Sequence, residues 1–122
     1  MKKRDEINAF LGKNTEFEGK LTFTGAVRID GCFKGEIVSD GTLIIGEAAR
    51  VESDVHISRI IISGEFKGNI FAETRIEIHA PGRVFGNLQA PVVIIEEGVV
   101  FEGNCRMLKE DMAEDKILAA VS

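Results

Sequence analysis

Two histidines and two cysteines are the side chains of this 122-residue sequence best suited to metal binding or nucleophilic catalysis: His56, His79, Cys32 and Cys105. Neither histidine has a cysteine or carboxylate at the spacing of a metal-binding motif. No Ser, His and Asp can be grouped as a hydrolytic triad, and the Gly-rich phosphate-binding motifs are absent. The sequence therefore predicts no catalytic, cofactor-binding or metal site, and a protein that is not an enzyme.

The two cysteines indicate a reducing compartment. Cys105 takes a position that related segments fill with Leu, Ile or Val, which predicts a buried free thiol, whereas Cys32 falls in a predicted turn. Unpaired cysteines are typical of the cytoplasm, where disulfides rarely persist. We therefore expect a cytoplasmic protein.

Charge is distributed unevenly along the chain, whose formal net charge is −5. The acidic central part argues against a nucleic-acid partner. Residues 1–13 are instead net basic, and Lys2, Lys3 and Arg4 precede the apolar pair Phe10 and Leu11. This cluster predicts contact with an anionic membrane at the inner face of the cell membrane. The alternatives are a flexible tail and a segment whose Phe10 and Leu11 cover one end of the fold.

A short segment recurs six times and organises the rest of the sequence. Each copy reads apolar, variable, usually Gly, polar, apolar, and the copies start 15 to 18 residues apart. A second apolar piece follows the first five copies at similar spacing, and turn-forming Gly or Ala residues separate the units. The copies are Phe17–Leu21, Phe33–Ile37, Val51–Val55, Phe66–Ile70, Val84–Leu88 and Phe101–Cys105.

This repeat predicts an all-β fold, a parallel β-helix (solenoid) of about six windings. Apolar residues alternate with a period of two, which is the geometry of strands, and a fixed short repeat is typical of solenoids. The predicted core spans residues 15–105, between an N-terminal tail at residues 1–14 and a C-terminal tail at residues 106–122. The tails are expected to be short and flexible, with an amphipathic helix or a cap on the last winding as alternatives for the C-terminal one.

The repeat alignment predicts which residues stack on one another in successive windings. The second position reads Glu18, Lys34, Glu52 and Lys67 in the first four copies, so opposite charges should lie in contact. The fourth position reads Asn69, Asn87 and Asn104 in the last three, which predicts a ladder of asparagines.

The two ends of such a solenoid are candidates for self-association. An open end exposes unpaired backbone groups and core side chains, and soluble solenoids usually cap it. The sequence shows no clear cap, so we expect end-to-end assembly into an open filament. The alternatives are a capped monomeric binding module and an acyltransferase of the left-handed β-helix type, although windings of 15 to 18 residues fit the strict period of that class poorly.

Two sets of residues are predicted to form the contact surfaces. Phe17 and Leu21 in the first copy, with Phe101 and Cys105 in the last, take inward positions at the ends and are expected to form the polymerisation interface. Ile44 and Ile61 are the middle residues of two successive apolar pieces, so they should point outward. They are predicted to form a lateral or partner-binding surface.

Several stretches together resemble the bactofilin family: INAFLGKNTEFEGKLTFTGAVRIDGCFKGEI, SDGTLIIGEAARVESDV, GEFKGNI, APGRVFGNL and FEGNC. Bactofilins are polymer-forming bacterial cytoskeletal proteins. The resemblance implies a right-handed β-helix and nucleotide-independent assembly into non-polar filaments that scaffold cell-shape or envelope machinery. It also implies partners at the inner membrane surface and among peptidoglycan-remodelling enzymes, and a role in polymerisation for a Phe near the C-terminal end of the core.

Overall fold

The fold consists of parallel strands that wind about one axis. The computed structural model describes residues 7–107, and their side chains from Phe10 onward. Within these residues there are ten strands and no helix. The strands are β1 (Ile7–Leu11), β2 (Glu16–Phe23), β3 (Ala26–Ile29), β4 (Cys32–Ser39), β5 (Thr42–Ile45), β6 (Arg50–Ile62), β7 (Glu65–Ile78), β8 (Arg83–Ala90), β9 (Val93–Ile95) and β10 (Val100–Met107).

The pairing of these strands defines two faces. The long-strand sheet follows the order β2, β4, the first part of β6, the first part of β7, β8 and β10. The short-strand sheet follows the order β1, β3, β5, the second part of β6, the second part of β7 and β9. All of these pairs are parallel. One short strand, a corner and one long strand make each winding, so the six windings predicted from the repeat are confirmed.

Alternation along each strand explains why the windings share one core. Strand β6 alternates exposed and buried residues over its first eight positions. Phe33 and Phe66 are fully buried, as predicted, because they begin long strands at the same inward position. The short strands contribute the opposite wall through a series of fully buried side chains: Ile29, Leu43, Ile45, Ile60, Ile62, Ile76 and Ile78.

The predicted stacking of polar residues is present in the register. Glu18 pairs with Lys34, Lys34 with Glu52, and Glu52 with Lys67. The asparagine ladder is also formed. The side-chain amide of Asn104 donates to Asn87 (3.1 Å), that of Asn87 donates to Asn69 (2.8 Å), and that of Asn69 donates to Asp54 (3.0 Å).

A column of glycines allows the long strands to stack. Gly35, Gly68, Gly86 and Gly103 have φ between 132° and 144°, in a region that residues with a Cβ rarely adopt. A Cβ at any of them would collide with the backbone carbonyl of the preceding winding. Gly19 has the same φ in the first winding, but no backbone atom lies beside its Cβ position.

The structure differs from the sequence-based boundaries at both ends. Strand β1 lies within residues 1–14, the segment predicted as a tail, and adds a strand to the short-strand sheet by pairing Phe10 with Arg28 and Leu11 with Ile29. The repeat could not reveal this strand because the first recognisable long strand follows it. At the other end β10 extends to Met107. The rest of the predicted tails, residues 1–6 and 108–122, lies outside the described residues.

Candidate polymerisation interface

The N-terminal end of the solenoid presents core side chains that have a neighbour on one side only. In the described chain β2 pairs with β4 alone in the long-strand sheet. The ring of Phe17 stacks on that of Phe33 with a centroid distance of 5.1 Å and an interplanar angle of 8°. Phe17 nevertheless remains 38% exposed, whereas Phe33 in the next winding is fully buried. Leu21 is half-buried beside it and packs against the core. The exposure follows from position in the stack, because both side chains point inward.

The C-terminal end shows the same arrangement. Phe101 lies in register with Val84 and Cys105 with Leu88, and both partners are buried. Phe101 is half-buried and packs against the core. Around it Ile95, Val100 and Met107 are exposed, which makes this end a largely apolar surface. The sequence prediction missed these three residues, although the two-residue alternation in the last copy contained the signal for Ile95.

The prediction of a buried thiol at Cys105 is wrong. Cys105 takes the inward register of the repeat, but it lies in the last described winding and is exposed. No described winding follows to cover it. Partial burial against Leu88 and its neighbours still raises the pKa of the thiol. Cys32 also differs from its prediction, because it begins strand β4 and is half-buried instead of lying in a turn.

The outer surface of the short-strand sheet carries the predicted lateral residues. Ile44 and Ile61 are register partners in neighbouring windings, and each is half-buried and outward, between fully buried inward residues. They form part of one outward column, which we call the outer column. Its members in successive windings are Phe10, Arg28, Ile44, Ile61, Glu77 and Ile94.

The two charged residues of the outer column are paired within their own strands. Arg28 donates to both carboxylate oxygens of Asp30 at 2.9 and 3.3 Å, and this hydrogen bonding raises the pKa of Arg28. Glu77 accepts from Arg75 (3.0 Å) and contacts the His79 ring (3.1 Å). These hydrogen bonds, the one from Arg75 above all, lower the pKa of the Glu77 carboxyl. Each group is therefore charged at neutral pH but locally balanced.

The predicted membrane residues occupy different environments. Leu11 is half-buried and packs against the core, and it pairs with the fully buried Ile29. Phe10 points the other way and is 60% exposed. The predicted contacts Lys2, Lys3 and Arg4 lie outside the described residues.

The histidines lie on the surface of the solenoid. His79 lies between Glu77 and Glu96 of the next winding, at 3.1 and 3.7 Å. His56 packs edge-on against Phe71 and lies 3.7 Å from Glu73. No three His, Cys, Asp or Glu side chains converge on a common point in residues 7–107. No described helix is long and apolar enough to cross a membrane.

The fold and its two apolar ends define a β-solenoid built for contacts between copies, and comparisons with known proteins agree. Residues 9–106 match the model of a family described as "Bactofilin: Polymer-forming cytoskeletal". The chain is 31% identical to bactofilin BacO of Myxococcus xanthus over 107 residues, covering 88% of this chain and 82% of the relative. It is 33% identical to bactofilin BacP of the same organism over 100 residues, covering 82% and 42%.

A solved structure gives the same result. The Thermus thermophilus bactofilin, determined in double helical filaments by cryo-electron microscopy, superimposes with a TM-score of 0.75 at 35% identity. The match covers 80% of this chain and 96% of that one. This chain belongs to the bactofilin family and is a polymer-forming cytoskeletal protein. The family favours the filament interpretation over a capped monomeric module or an acyltransferase.

Proposed function

We propose that the chain assembles end to end, without nucleotide, into non-polar filaments that scaffold cell-shape or envelope machinery. The observation that carries this proposal is the pair of open ends. Phe17 and Phe101 both take inward core positions and both retain exposed ring surface in the single chain. A second copy stacked on either end would bury that surface and pair the free strand edge, which needs neither a ligand nor a chemical step.

Contacts between like ends account for the absence of polarity. If N-terminal ends meet N-terminal ends and C-terminal ends meet C-terminal ends, each contact has two-fold symmetry and the filament has no direction. Phe17 and Leu21 then belong to one contact, and Phe101 and Cys105 belong to the other.

Gly19 offers a specific test of the N-terminal contact. A Cβ there points away from the second winding, toward the position of an incoming copy, and meets only the ring of Phe17 within the chain. We expect the purified full chain to form filaments without added nucleotide in negative-stain electron microscopy. The Gly19→Ala chain should remain folded and stop at pairs joined through the C-terminal end. Wild-type protein that stays monomeric under these conditions would contradict the proposed function.

We also propose a peripheral position in the cytoplasm, at the inner face of the membrane. The exposed ring of Phe10 supports it, together with the basic sequence that precedes it. Co-sedimentation with anionic vesicles, and its loss with Lys2, Lys3 and Arg4 changed to Glu, is the expected result. Binding that is equal to neutral and anionic vesicles would contradict it. Peptidoglycan-remodelling enzymes are proposed as partners from the family resemblance.

A further inference from the structure

The outer column has an order that is complementary to its own reverse. From the first winding to the last it reads apolar, positive, apolar, apolar, negative, apolar. A two-fold axis perpendicular to the short-strand sheet, passing between Ile44 and Ile61, exchanges the two halves of this series. Two copies related by that axis would place Ile44 against Ile61, and Arg28 against Glu77, twice each.

We propose that the outer surface of the short-strand sheet is a lateral contact between two antiparallel copies of this chain. The inference rests on the proposed filament function, because it adds a sideways contact to the end-to-end ones. Spacing favours the match, since windings of both copies repeat at the same distance of about 4.8 Å and every position in one column meets a position in the other. Sheets pack face to face at about 10 Å, which half-buried isoleucines can fill.

Charges beside the outer column fit the same axis. The axis also reverses strand direction, so the edge of the column that carries Arg75 comes opposite the corner that carries Asp30 of the other copy. The pair Arg75–Glu77 would therefore face the pair Asp30–Arg28 with opposite signs aligned. The side chains of Arg75 and Arg28 are 41% and 40% exposed, so both guanidinium groups can reach a second acceptor. No net charge opposes the approach, because each pair is already balanced within its strand.

The patch is small, which predicts when pairing occurs. Six windings span roughly 25 Å, and a strip one short strand wide buries only a few hundred Å², below the roughly 800 Å² per partner of a stable complex. Single chains should therefore pair weakly. Filaments should pair well, because each further subunit adds a linked contact of the same kind.

Charge reversal separates this contact from effects within one chain. Arg28→Glu would face Glu77 of the other copy, and Glu77→Arg would face Arg28, so each variant should give single filaments where the wild type gives paired ones. Each reversal also places like charges beside Asp30 or beside Arg75. The double variant keeps those repulsions within the chain but restores opposite charges across the axis. Arg28 and Glu77 are three windings apart, about 14 Å, so rescue cannot arise inside one chain.

The test is filament width by electron microscopy, with circular dichroism to verify folding. Pairing should be lost in both single variants and regained in the double variant, and also when preformed filaments of the two single variants are mixed. Lys34→Glu is the matched control, because it reverses a charge on the outside of the long-strand sheet and should leave pairing intact. Single variants that pair like wild type, or a double variant that stays single, would overturn the proposal.

A solution measurement keeps the lateral contact separate from end-to-end assembly. If the wild type forms no filaments, the proposed function fails, but the monomer–dimer equilibrium of the same chains still decides the lateral contact. By sedimentation, each single reversal should weaken dimerisation about 30-fold, since two equivalent contacts change from attraction to repulsion. The double variant should return to the wild-type constant, and a constant that is equal in all four chains would overturn the contact.

Discussion

Replacing Phe101 with Arg should stop assembly at the C-terminal end without unfolding the chain. Phe101 lies in the last described winding, half-buried against the core and in register with Val84. A fully buried Phe contributes about 1.5–3 kcal/mol, so the half that is still exposed offers about 1 kcal/mol to an interface. Two copies meeting at like ends contribute about 2 kcal/mol, which is about 30-fold in the association constant.

The introduced charge adds a larger penalty. An unpaired charge buried by removing its partner costs about 3–5 kcal/mol, and a two-fold contact contains two such arginines. Together the two effects exceed a thousandfold weakening of the C-terminal contact. Folding should survive, because the remaining windings keep their full core and the aliphatic part of Arg can still cover some of the last one.

Light scattering and circular dichroism of the purified variant test this expectation. We expect a β-rich species no larger than a dimer, joined through the N-terminal end that contains Phe17. Phe71→Arg is the matched control, because Phe71 is equally large and 38% exposed but points outward from a middle winding. Filaments of wild-type length from Phe101→Arg, with an intact β signal, would refute the C-terminal contact. Collapse of the β signal would refute the reasoning that this residue is dispensable for folding.

Three further predictions concern the solenoid itself. Gly86→Ala should destabilise the chain by about 3 kcal/mol or more, because its Cβ would adopt a positive φ and collide with the carbonyl of Gly68, whereas Gly19→Ala carries the φ strain alone; urea unfolding compares them, and equal losses would contradict the packing argument. Asn69→Leu removes two exposed hydrogen bonds of the asparagine ladder and should cost about 1 kcal/mol, seen as a fall of about 4 °C in Tm; an unchanged Tm would mean that water replaces the ladder fully. Because the folded pKa of Glu77 is lowered, its contribution to the free energy of unfolding is present above the unfolded pKa of about 4.3 and lost as pH falls through the folded value. Urea unfolding of wild type and Glu77→Gln should therefore differ at pH 7 and converge in acid, and a gap that widens in acid would reverse this sign.

The interior of the fold could be predicted from the sequence because its evidence is repeated. Alternation in Val51–Val55 or Phe66–Ile70 would be ambiguous alone, but six copies at 15 to 18 residues fix both the strand period and the stacking register. The stacking register then gave the asparagine ladder and the alternating charges directly. Handedness came from the family resemblance, since a repeat of this length fits windings of either hand.

The ends could not be read in the same way. Strand β1 has no long strand before it, so no repeat marked Phe10 or Leu11 as part of the sheet. Cys105 occupies an inward position by every local rule, yet it is exposed because no described winding follows it. Inward direction is a local property of alternation, but burial depends on a neighbour that the sequence pattern does not supply.

The sequence alone determined the parallel solenoid, its period, its inward and outward residues and the family to which the chain belongs, because each follows from patterns a few residues long that recur. Only the tertiary structure decided which inward residues remain uncovered and which outward residues share a surface. The outer column shows the reason. Arg28 and Glu77 are far apart in sequence and unremarkable singly, and their complementary order emerges only when the windings place them in one line.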